Sequence, residues 1–284
     1  MIVAIGNPAL HAARGGRPCV FVPTMGALHE GHATLIEHAA RLARERALPG
    51  GCAVSIFVNP TQFNEKTDYD RYPRTLEPDL DVCRAAGATL VFAPAPADIY
   101  PPDLPVAVPP LPAVATRPGL EDSHRPGHFA GVCQVVSRLF DLVQPAAAVF
   151  GEKDWQQLAV IRAMTTQQGR ALEIIGAPTV RECDGLAMSS RNRFLTDTDR
   201  PRALAISRAL CAGRAESSPD AAEGAMRAVL TRAGITPEYA VVRDAATLER
   251  PAIAPPNTAW RALIAARVGS VRLIDNCAWE PHPV

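Results

Sequence analysis

Two histidines three positions apart, His29 and His32, open a segment that could bind and act on a phosphate group. They lie in PTMGALHEGH, residues 23–32, directly after the apolar run CVFV. At this spacing, both imidazoles face the same side of a helix that begins here. Free N–H groups at a helix N-terminus attract phosphate, and imidazoles can supply a proton or a hydrogen bond to oxygens that gain charge. Two surface histidines, or a metal site that no nearby Asp, Glu or His convincingly completes, are the alternatives.

Three further polar segments each follow a predicted strand. GEKDWQQ (151–157) follows AAAVF and offers Lys153 as a point charge for phosphate. MSSRN (188–192) follows IIGAPTVR and offers two hydroxyls and a guanidinium. NPTQFN (59–64) follows SIFV and offers Gln62, whose amide can donate to and accept from a hydroxy acid. Each segment alone is also compatible with an ordinary polar loop, and the chain contains neither a P-loop nor a G-x-G-x-x-G fingerprint.

An alternation of strands and helices would bring these segments together. Four apolar runs predict buried strands: residues 19–22, 53–58, 89–93 and 146–150. Four segments with helical spacing lie between or after them: residues 33–47, 75–86 (with Gly87 as the C-terminal cap), 131–143 and 155–167. Strands separated by single helices pair in parallel, so we predict an α/β fold with a Rossmann-like parallel sheet. Its ligands should bind beyond the carboxyl ends of the strands.

The rest of the chain departs from this alternation. Residues 94–126 contain ten prolines and predict a long surface excursion, neither helix nor central strand, that is either a flap or a loop without a role. After about residue 176, two predicted helices (198–213 and 219–233) precede three predicted strands: 239–244, 261–268 and 271–275, with a hairpin at Gly269-Ser270. We therefore predict a Rossmann-like domain over residues 1–177 and a smaller α+β C-terminal domain over residues 178–284.

Composition and charge argue against several classes of protein. The chain has 284 residues, 48% of them hydrophobic, which predicts a folded protein with a sizeable core. Its 29 basic and 29 acidic side chains give no net charge, so we expect no nucleic-acid partner. We also expect no membrane span and no signal peptide. Seven cysteines without a C-x-x-C pair favour neither a disulfide framework nor a zinc site, and suit small buried side chains in a cytoplasmic protein.

Six motifs in order resemble the pantoate–β-alanine ligase (pantothenate synthetase) family of the nucleotidyltransferase superfamily. They are PTMGALHEGH, SIFVNPTQF, YPRTLEPD, RPGHFAGV, LVQPAAAVFGEKDWQQLAVIR and DGLAMSSRNRFLT. The segment from His29 to His32 matches the HIGH-type motif of that superfamily, and MSSR resembles its KMSKS loop. The resemblance implies condensation of pantoate with β-alanine to pantothenate through a pantoyl adenylate. ATP with Mg²⁺ would be consumed, and AMP and pyrophosphate released.

The resemblance also implies roles for single residues. His32 would be the proton donor, with His29 and Lys153 as further catalytic groups. Gln62 and Gln157 would hold pantoate, and Gln62 would also lie near β-alanine. The ATP-binding residues would be Met25, Gly26, Ala27, Leu28, His29, Glu30, Gly31, His32, Gly151, Glu152, Lys153, Asp154, Val180, Met188, Ser189, Ser190 and Arg191. A homodimer is implied, in which each C-terminal domain closes over its site as a lid.

The sequence departs from the family pattern in two places. The stretch before residue 19 is short, so we expect a trimmed first helix. After YPRT, the chain reads Leu76-Glu77-Pro78-Asp79, with proline where a carboxylate often stands. Only Glu77 and Asp79 then remain as candidates for Mg²⁺ or its waters, and the metal ligands stay unassigned.

Two other functions are compatible with parts of this pattern. One is a different nucleotidyltransferase of the same fold, against which GEKDWQQ and NPTQF together argue. The other is a non-catalytic nucleotide-sensing or RNA-binding module, which the neutral charge and the lack of an aromatic and basic face disfavour. An aminoacyl-tRNA synthetase is disfavoured by chain length and by the lack of a basic surface for tRNA.

Overall fold

The computed structural model describes residues 1–63, 66–250 and 258–280, and it contains a six-stranded parallel sheet in the order β1-β4-β3-β2-β5-β6. The strands are β1 (Ile2–Ala4), β2 (Val20–Thr24), β3 (Cys52–Ile56), β4 (Leu90–Phe92), β5 (Ala147–Gly151) and β6 (Glu173–Ala177). Strand β2 lies between β3 and β5, so the strand order reverses there. In such sheets the ligand crevice opens at the carboxyl ends of the strands beside this switch point.

Helices cover both faces of this sheet. They are α1 (Asn7–Arg14), α2 (Glu30–Glu45), α3 (Lys66–Arg71), α4 (Leu76–Ala85), α5 (Pro96–Ile99), α6 (Glu121–His124), α7 (His128–Val143) and α8 (Trp155–Gln167). Successive residues of β2 enter different cores: Phe21 packs with α7 and α8, whereas Val20 and Val22 pack with α2 and α4. Because both faces are buried, the strand is apolar at successive positions from Val20 to Val22 rather than at alternate ones.

The C-terminal part is a three-stranded antiparallel sheet that packs between two helices and the larger sheet's core. Its elements are α9 (Asp199–Arg214), α10 (Pro219–Arg232), β7 (Pro237–Asp244), β8 (Trp260–Val268) and β9 (Val271–Trp279). Val242 faces α9 and α10, whereas Val241 and Leu263 extend into the core of the parallel domain. The predicted hairpin is confirmed, since Val268 pairs with Val271. The domain division at residue 177 stays a prediction.

The predicted fold class is confirmed, and the elements differ from prediction in three places. Strand β1 was not anticipated, because a strand of three residues leaves no periodic pattern, whereas the eight-residue helix α1 is the short first helix that was expected. The strand predicted over IIGAPTVR ends at Ala177, where Pro178 has no N–H to donate. The proline-rich segment 94–126 contains the one-turn helices α5 and α6 and a 3₁₀ turn at Ala113–Ala115. Proline fits the first turn of α5, where no N–H partner is needed.

The described residues bear on two earlier expectations, one about membrane spans and one about the cysteines. Among those residues, none of the helices combines the length and the apolar character that crossing a bilayer requires. All seven cysteines lie in the described part and are free, but Cys183 and Cys211 are exposed rather than buried. Asn64, the last residue of the NPTQFN motif, lies outside the described residues, as do 251–257 and 281–284 of the predicted C-terminal domain.

Candidate active site

A cavity of about 270 Å³ opens where strands β2, β3 and β5 end. Most of the predicted site residues line it: Met25, His29, Gly31, His32, Gln62, Gly151, Lys153, Asp154, Gln157, Val180, Met188, Ser189, Ser190 and Arg191. Predicted residues that do not line it are Gly26, Ala27, Leu28, Glu30 and Glu152. Glu30 is exposed, and Glu152 instead faces the C-terminal sheet, where it accepts a hydrogen bond from Arg261 (3.1 Å).

His32 is held as a neutral hydrogen-bond donor. Its Nδ1 accepts a hydrogen bond from the backbone N–H of His29 (3.3 Å), which leaves the proton on Nε2. Burial, followed by the neighbouring His29, lowers the pKa of His32 to about 3. The two rings lie 4.1 Å apart between centroids, and the Nδ1 of His29 has no partner among the described residues. At neutral pH, His32 therefore offers an Nε2–H group to a ligand rather than a positive charge.

The turn before these histidines is clamped by Asp79. This buried carboxylate accepts hydrogen bonds from the N–H groups of Ala27 (2.9 Å) and Leu28 (2.8 Å). Two reasons require glycine at position 26. Its φ is +77°, and a Cβ there would lie 2.9 Å from Oδ2 of Asp79. Both oxygens of Asp79 are thus engaged by protein, and Glu77 is exposed and outside the cavity. Neither of the two predicted Mg²⁺ candidates presents a free carboxylate to the cavity.

Cationic groups gather around the open carboxylate of Asp154, which lines the cavity. The Nζ of Lys153 lies 3.6 Å from Oδ1 of Asp154, whose side chain is 49% exposed within the cavity. Burial among protein atoms opposes its ionisation, but the charges of Lys153, Arg191 and Arg125 hold the pKa of Asp154 below its ordinary value. No hydrogen bond to Asp154 is formed by another described residue. Asp154 is therefore charged and free to meet a ligand.

The MSSR loop faces the histidines because residues 180–188 fold back in a short antiparallel pairing that holds the loop. The N–H of Met188 donates to the carbonyl of Val180 (2.9 Å), and Arg181 binds the carboxylate of Asp275 on β9 at 2.7 and 3.1 Å. Gly31 permits the close approach, since a Cβ there would lie 3.5 Å from Cβ of Met188 and 2.9 Å from Cε1 of the neighbouring histidine ring. The two predicted phosphate-binding segments thus lie on opposite walls of one cavity.

Two glutamines line the same cavity. Gln62 is buried at the end of the 3₁₀ turn Pro60–Gln62, which follows β3. This turn packs directly on α7 at Gly131, where a Cβ would lie only 2.3 Å from the carbonyl oxygen of Thr61. Gln157 lies in the first turn of α8, and its amide has no hydrogen-bond partner among the described residues. Both side chains are available to a polar ligand that occupies this cavity.

Sequence reasoning missed several polar residues that line the cavity: Asn59, Tyr72, Glu121, Arg125, His128 and Tyr239. The motif HRPGHF was recognised, but nothing in its spacing assigns a role to a single residue. In the structure, Nδ1 of His128 donates to the carbonyl of Gln62 (3.1 Å) and Nε2 accepts from Arg125 (3.0 Å). Burial, followed by the charge of Arg125, lowers the pKa of His128 to about 4. His128 is therefore neutral, and it holds the backbone carbonyl of Gln62 in place through a hydrogen bond.

We predict that His128 makes the protein sensitive to mild acid. Its pKa falls from the ordinary 6.5 to about 4 on folding, so between these values only the unfolded chain takes up the proton. This proton uptake has no effect on stability above about pH 6.5. At pH 5 it should lower the free energy of unfolding by about 2 kcal/mol. Urea unfolding at pH 7.5 and pH 5 measures this.

The variant His128→Asn should lose less stability than the wild type over that pH change, even if it is less stable at pH 7.5. His11→Asn, which removes an exposed imidazole, is the matched control. Glu121 and Asp154 are present in all three proteins, and because their folded-state pKa values lie below the ordinary ones, both stay ionised in the folded protein over this pH range. An unchanged pH dependence in His128→Asn would show that this histidine does not titrate as the structure indicates.

Comparisons with known proteins show which family the chain resembles. The family model described as pantoate-beta-alanine ligase matches residues 6–278. A pantothenate synthetase from a Nocardioides species is 49% identical over 279 residues, covering 94% of this chain and 80% of the relative. The pantothenate synthetase of Vibrio vulnificus is 48% identical over 273 residues, covering 93% of this chain and 86% of the relative.

Solved structures give the same result for the fold. The pantothenate synthetase of Thermus thermophilus superimposes with a TM-score of 0.88 at 40% identity, covering 98% of this chain and 99% of that one. The pantoate-beta-alanine ligase of Francisella tularensis, solved with β,γ-ATP and β-alanine, gives a TM-score of 0.76 at 34% identity, with 98% and 97% covered. The chain therefore belongs to the pantoate–β-alanine ligase family.

Proposed function

We propose that this chain condenses pantoate with β-alanine, using ATP, through a pantoyl adenylate, and releases AMP and pyrophosphate. The observation that carries the proposal is the arrangement of the cavity. Donors and cations suited to phosphate and two amides suited to a hydroxy acid line the same cavity. A reaction that joins an acid to a nucleotide phosphate uses both sets of groups.

The chemistry explains why the acid must be activated. A carboxylate is a poor electrophile towards an amine, because its carbon is flanked by shared negative charge. Attack of one pantoate oxygen on the α-phosphorus of ATP forms an acyl adenylate and expels pyrophosphate. The amine of β-alanine then attacks the acyl carbon, the amide bond forms, a proton is lost and AMP leaves. Such steps need positioning and charge stabilisation more than a protein nucleophile.

At the nucleotide end, we assign charge stabilisation to three groups. His32 would donate through Nε2–H to an oxygen that gains charge as pyrophosphate leaves. Lys153 would act as a point charge on the phosphates, and His29 would line the same wall. Ser189, Ser190 and Arg191 would complete the clamp from the opposite wall. The backbone N–H groups of the 27–28 turn take no part, because they are already engaged.

At the acid end, Gln62 and Gln157 would hold pantoate. A buried amide that binds the correct acid rejects acids that leave it unpaired, since an unsatisfied buried polar group costs about 1–3 kcal/mol. Gln62 meets this condition because it is buried, and Gln157, which is half-buried, has no protein partner in the described part of the chain. We assign β-alanine to the space beside Gln62, where the carboxyl ends of the strands leave room between acid and nucleotide.

Magnesium fits this site as a companion of ATP. Among the described residues, no group of three metal-ligating side chains occurs. That suits Mg²⁺, which often binds through one or two carboxylates, waters and substrate phosphates. We propose that Asp154, rather than Glu77 or Asp79, would hold it, because Asp154 lines the cavity without a hydrogen-bond partner in the described part of the protein. When bound, Mg²⁺ would neutralise charge on the phosphate oxygens.

We further propose that residues 178–284 act as a lid over a cytoplasmic site. The MSSR loop is tied to the C-terminal sheet through Arg181 and Asp275, so motion of that sheet would carry the loop. An enclosed adenylate would be protected from water. A homodimer is supported by the edge strand β1, where Ile2 is 52% exposed and Ile5, just beyond it, 69%. Light scattering of the purified protein measures the oligomeric state.

The products of the reaction test the proposed function. With ATP, Mg²⁺, pantoate and β-alanine, we expect AMP and pyrophosphate in equal amounts. With β-alanine omitted, we expect pantoate-dependent exchange of labelled pyrophosphate into ATP, because the adenylate forms reversibly before the amine attacks. Chromatography of the nucleotides measures both. ADP and phosphate would instead mean an acyl phosphate, and product formation without pantoate would mean another nucleotidyl transfer.

A further inference from the structure

We propose that Tyr100, on the proline-rich segment 94–126, is a positioning residue that orients the amide of Gln62. The segment itself had no assigned role. Through Asn59, Tyr100 would fix Gln62 so that its NH₂ group, not its carbonyl oxygen, faces the acid. The inference rests on the proposed function, since it names how that site selects the polarity of its ligand.

The orientation of Asn59 is fixed by two backbone groups. Its Oδ1 accepts from the N–H of Thr61 (3.3 Å), which can only donate. Its Nδ2 donates to the carbonyl of Gly131 (3.2 Å), which can only accept. Asn59 is 1% exposed. These two contacts favour one orientation of its amide, and the hydroxyl of Tyr100 adds a further contact to the same Oδ1 (2.8 Å).

That orientation dictates the orientation of Gln62. The same Nδ2 group of Asn59 donates to Oε1 of Gln62 (3.1 Å), so the carbonyl end of Gln62 points away from the ligand. Its Nε2 lies 2.7 Å from the sulfur of Met25, a cavity-lining side chain. A thioether is a weak acceptor, so an oxygen of a bound acid would take its place readily. Gln62 thus offers donors, which matches a carboxylate or the lone pairs of a hydroxyl group.

Tyr100 completes this arrangement from a distant part of the chain. Its hydroxyl donates to Oδ1 of Asn59 at 2.8 Å, a shorter contact than either of the two from Thr61. Its ring packs 6.3 Å from the ring of Phe57, so the hydroxyl is held by more than a hydrogen bond. The segment is anchored on its N-terminal side, where Asn7 donates to the carbonyl of Asp98 (2.8 Å). The proline-rich segment is therefore a support for the acid site.

The test is Tyr100→Phe, which removes the hydroxyl and keeps the ring. We expect the KM and the calorimetric Kd for pantoate to rise about three- to ten-fold, the effect of one hydrogen bond. The KM for ATP and the kcat at saturating pantoate should change less than two-fold. Tyr69→Phe is the matched control, because Tyr69 does not line the cavity and its ring contacts Phe63 and Arg74. It should bind pantoate as the wild type does.

A double-mutant cycle distinguishes positioning from a general structural effect. In a Gln62→Ala background, Tyr100→Phe should have no further effect on pantoate affinity, because there is no amide left to orient. An equal loss in both backgrounds, an unchanged pantoate Kd in Tyr100→Phe, or a parallel loss of ATP affinity would overturn the proposal. Absence of pantoate binding by the wild type would overturn the proposed function itself, and the positioning role with it.

Discussion

Replacing His32 by alanine should slow formation of pantoyl adenylate by a factor of about 10²–10³, the usual effect of removing a donor to a developing charge. The reason is the Nε2–H group, which the backbone N–H of His29 fixes on the side of the ring available to ligands. Attack of the amine on preformed adenylate occurs at the acyl carbon and should depend far less on this group. Rapid-quench kinetics with ATP and pantoate, and then with supplied pantoyl adenylate and β-alanine, separates the two steps.

Two further variants define what His32 supplies. His32→Gln keeps an N–H donor and should recover at least ten-fold of the rate lost in the alanine variant. This outcome is expected because a pKa of about 3 leaves the ring neutral at neutral pH, so that it acts through the Nε2–H hydrogen bond and not by giving up the extra proton of an imidazolium. His38→Ala, two turns along the same helix and away from the cavity, is the control. Normal adenylate formation in His32→Ala, or a defect confined to the amine step, would contradict the assigned role.

A methyl group at Gly131 should damage both the fold and the acid site. A Cβ there would lie 2.3 Å from the carbonyl oxygen and 2.6 Å from the carbonyl carbon of Thr61, and 2.8 Å from the backbone nitrogen of Gln62. Because these are backbone atoms, the 3₁₀ turn must move away from α7. Overpacking a tight site usually costs about 1–3 kcal/mol, and we expect Gly131→Ala to reach the upper end or exceed it. Urea unfolding measures the loss.

The same variant should weaken pantoate binding at least ten-fold while ATP binding changes little, because the displaced turn carries Gln62 and not the histidines. Gly224→Ala is a close control: this glycine also lies within a helix, α10, but a Cβ there would meet nothing within 4 Å. Alanine favours helix over glycine by up to about 1 kcal/mol, so Gly224→Ala should be neutral or stabilising. Equal stability of the two variants would show that the turn tolerates the methyl group.

The sequence predicted those parts of the site that depend on neighbouring residues. His29 and His32 share a helix turn, and Lys153 follows its strand directly, so local spacing was enough to place them. The supports could not be found this way, because their partners are far apart in the chain. Asp79 reaches Ala27 across 52 residues, and His128 reaches the carbonyl of Gln62 across 66. Such contacts exist only once the sheet has brought the segments together.

Asp79 also shows how the contacts of a residue can differ from those that its motif suggests. An acidic residue after YPRT fits a metal ligand by composition, whereas the fold uses both of its oxygens to hold a left-handed turn.

Strand β1 is an element that the sequence did not indicate at all. Its three residues pair with β4 through backbone groups, and the identity of the side chains carries little information about such pairing.

The clamp formed by Asp79 has a consequence for the design of inhibitors. Successive N–H groups at a left-handed turn are usually an attractive target for an anionic substituent. Here the protein has already placed a carboxylate on them, so a phosphate mimic directed at the 27–28 turn would meet charge repulsion instead of donors. Ligand growth should instead place acceptors against the donors that the protein leaves unused, the Nε2–H of His32 and the amide NH₂ of Gln62. A ligand with one neutral acceptor against each of these two donors would bind in the cavity without a polyphosphate group.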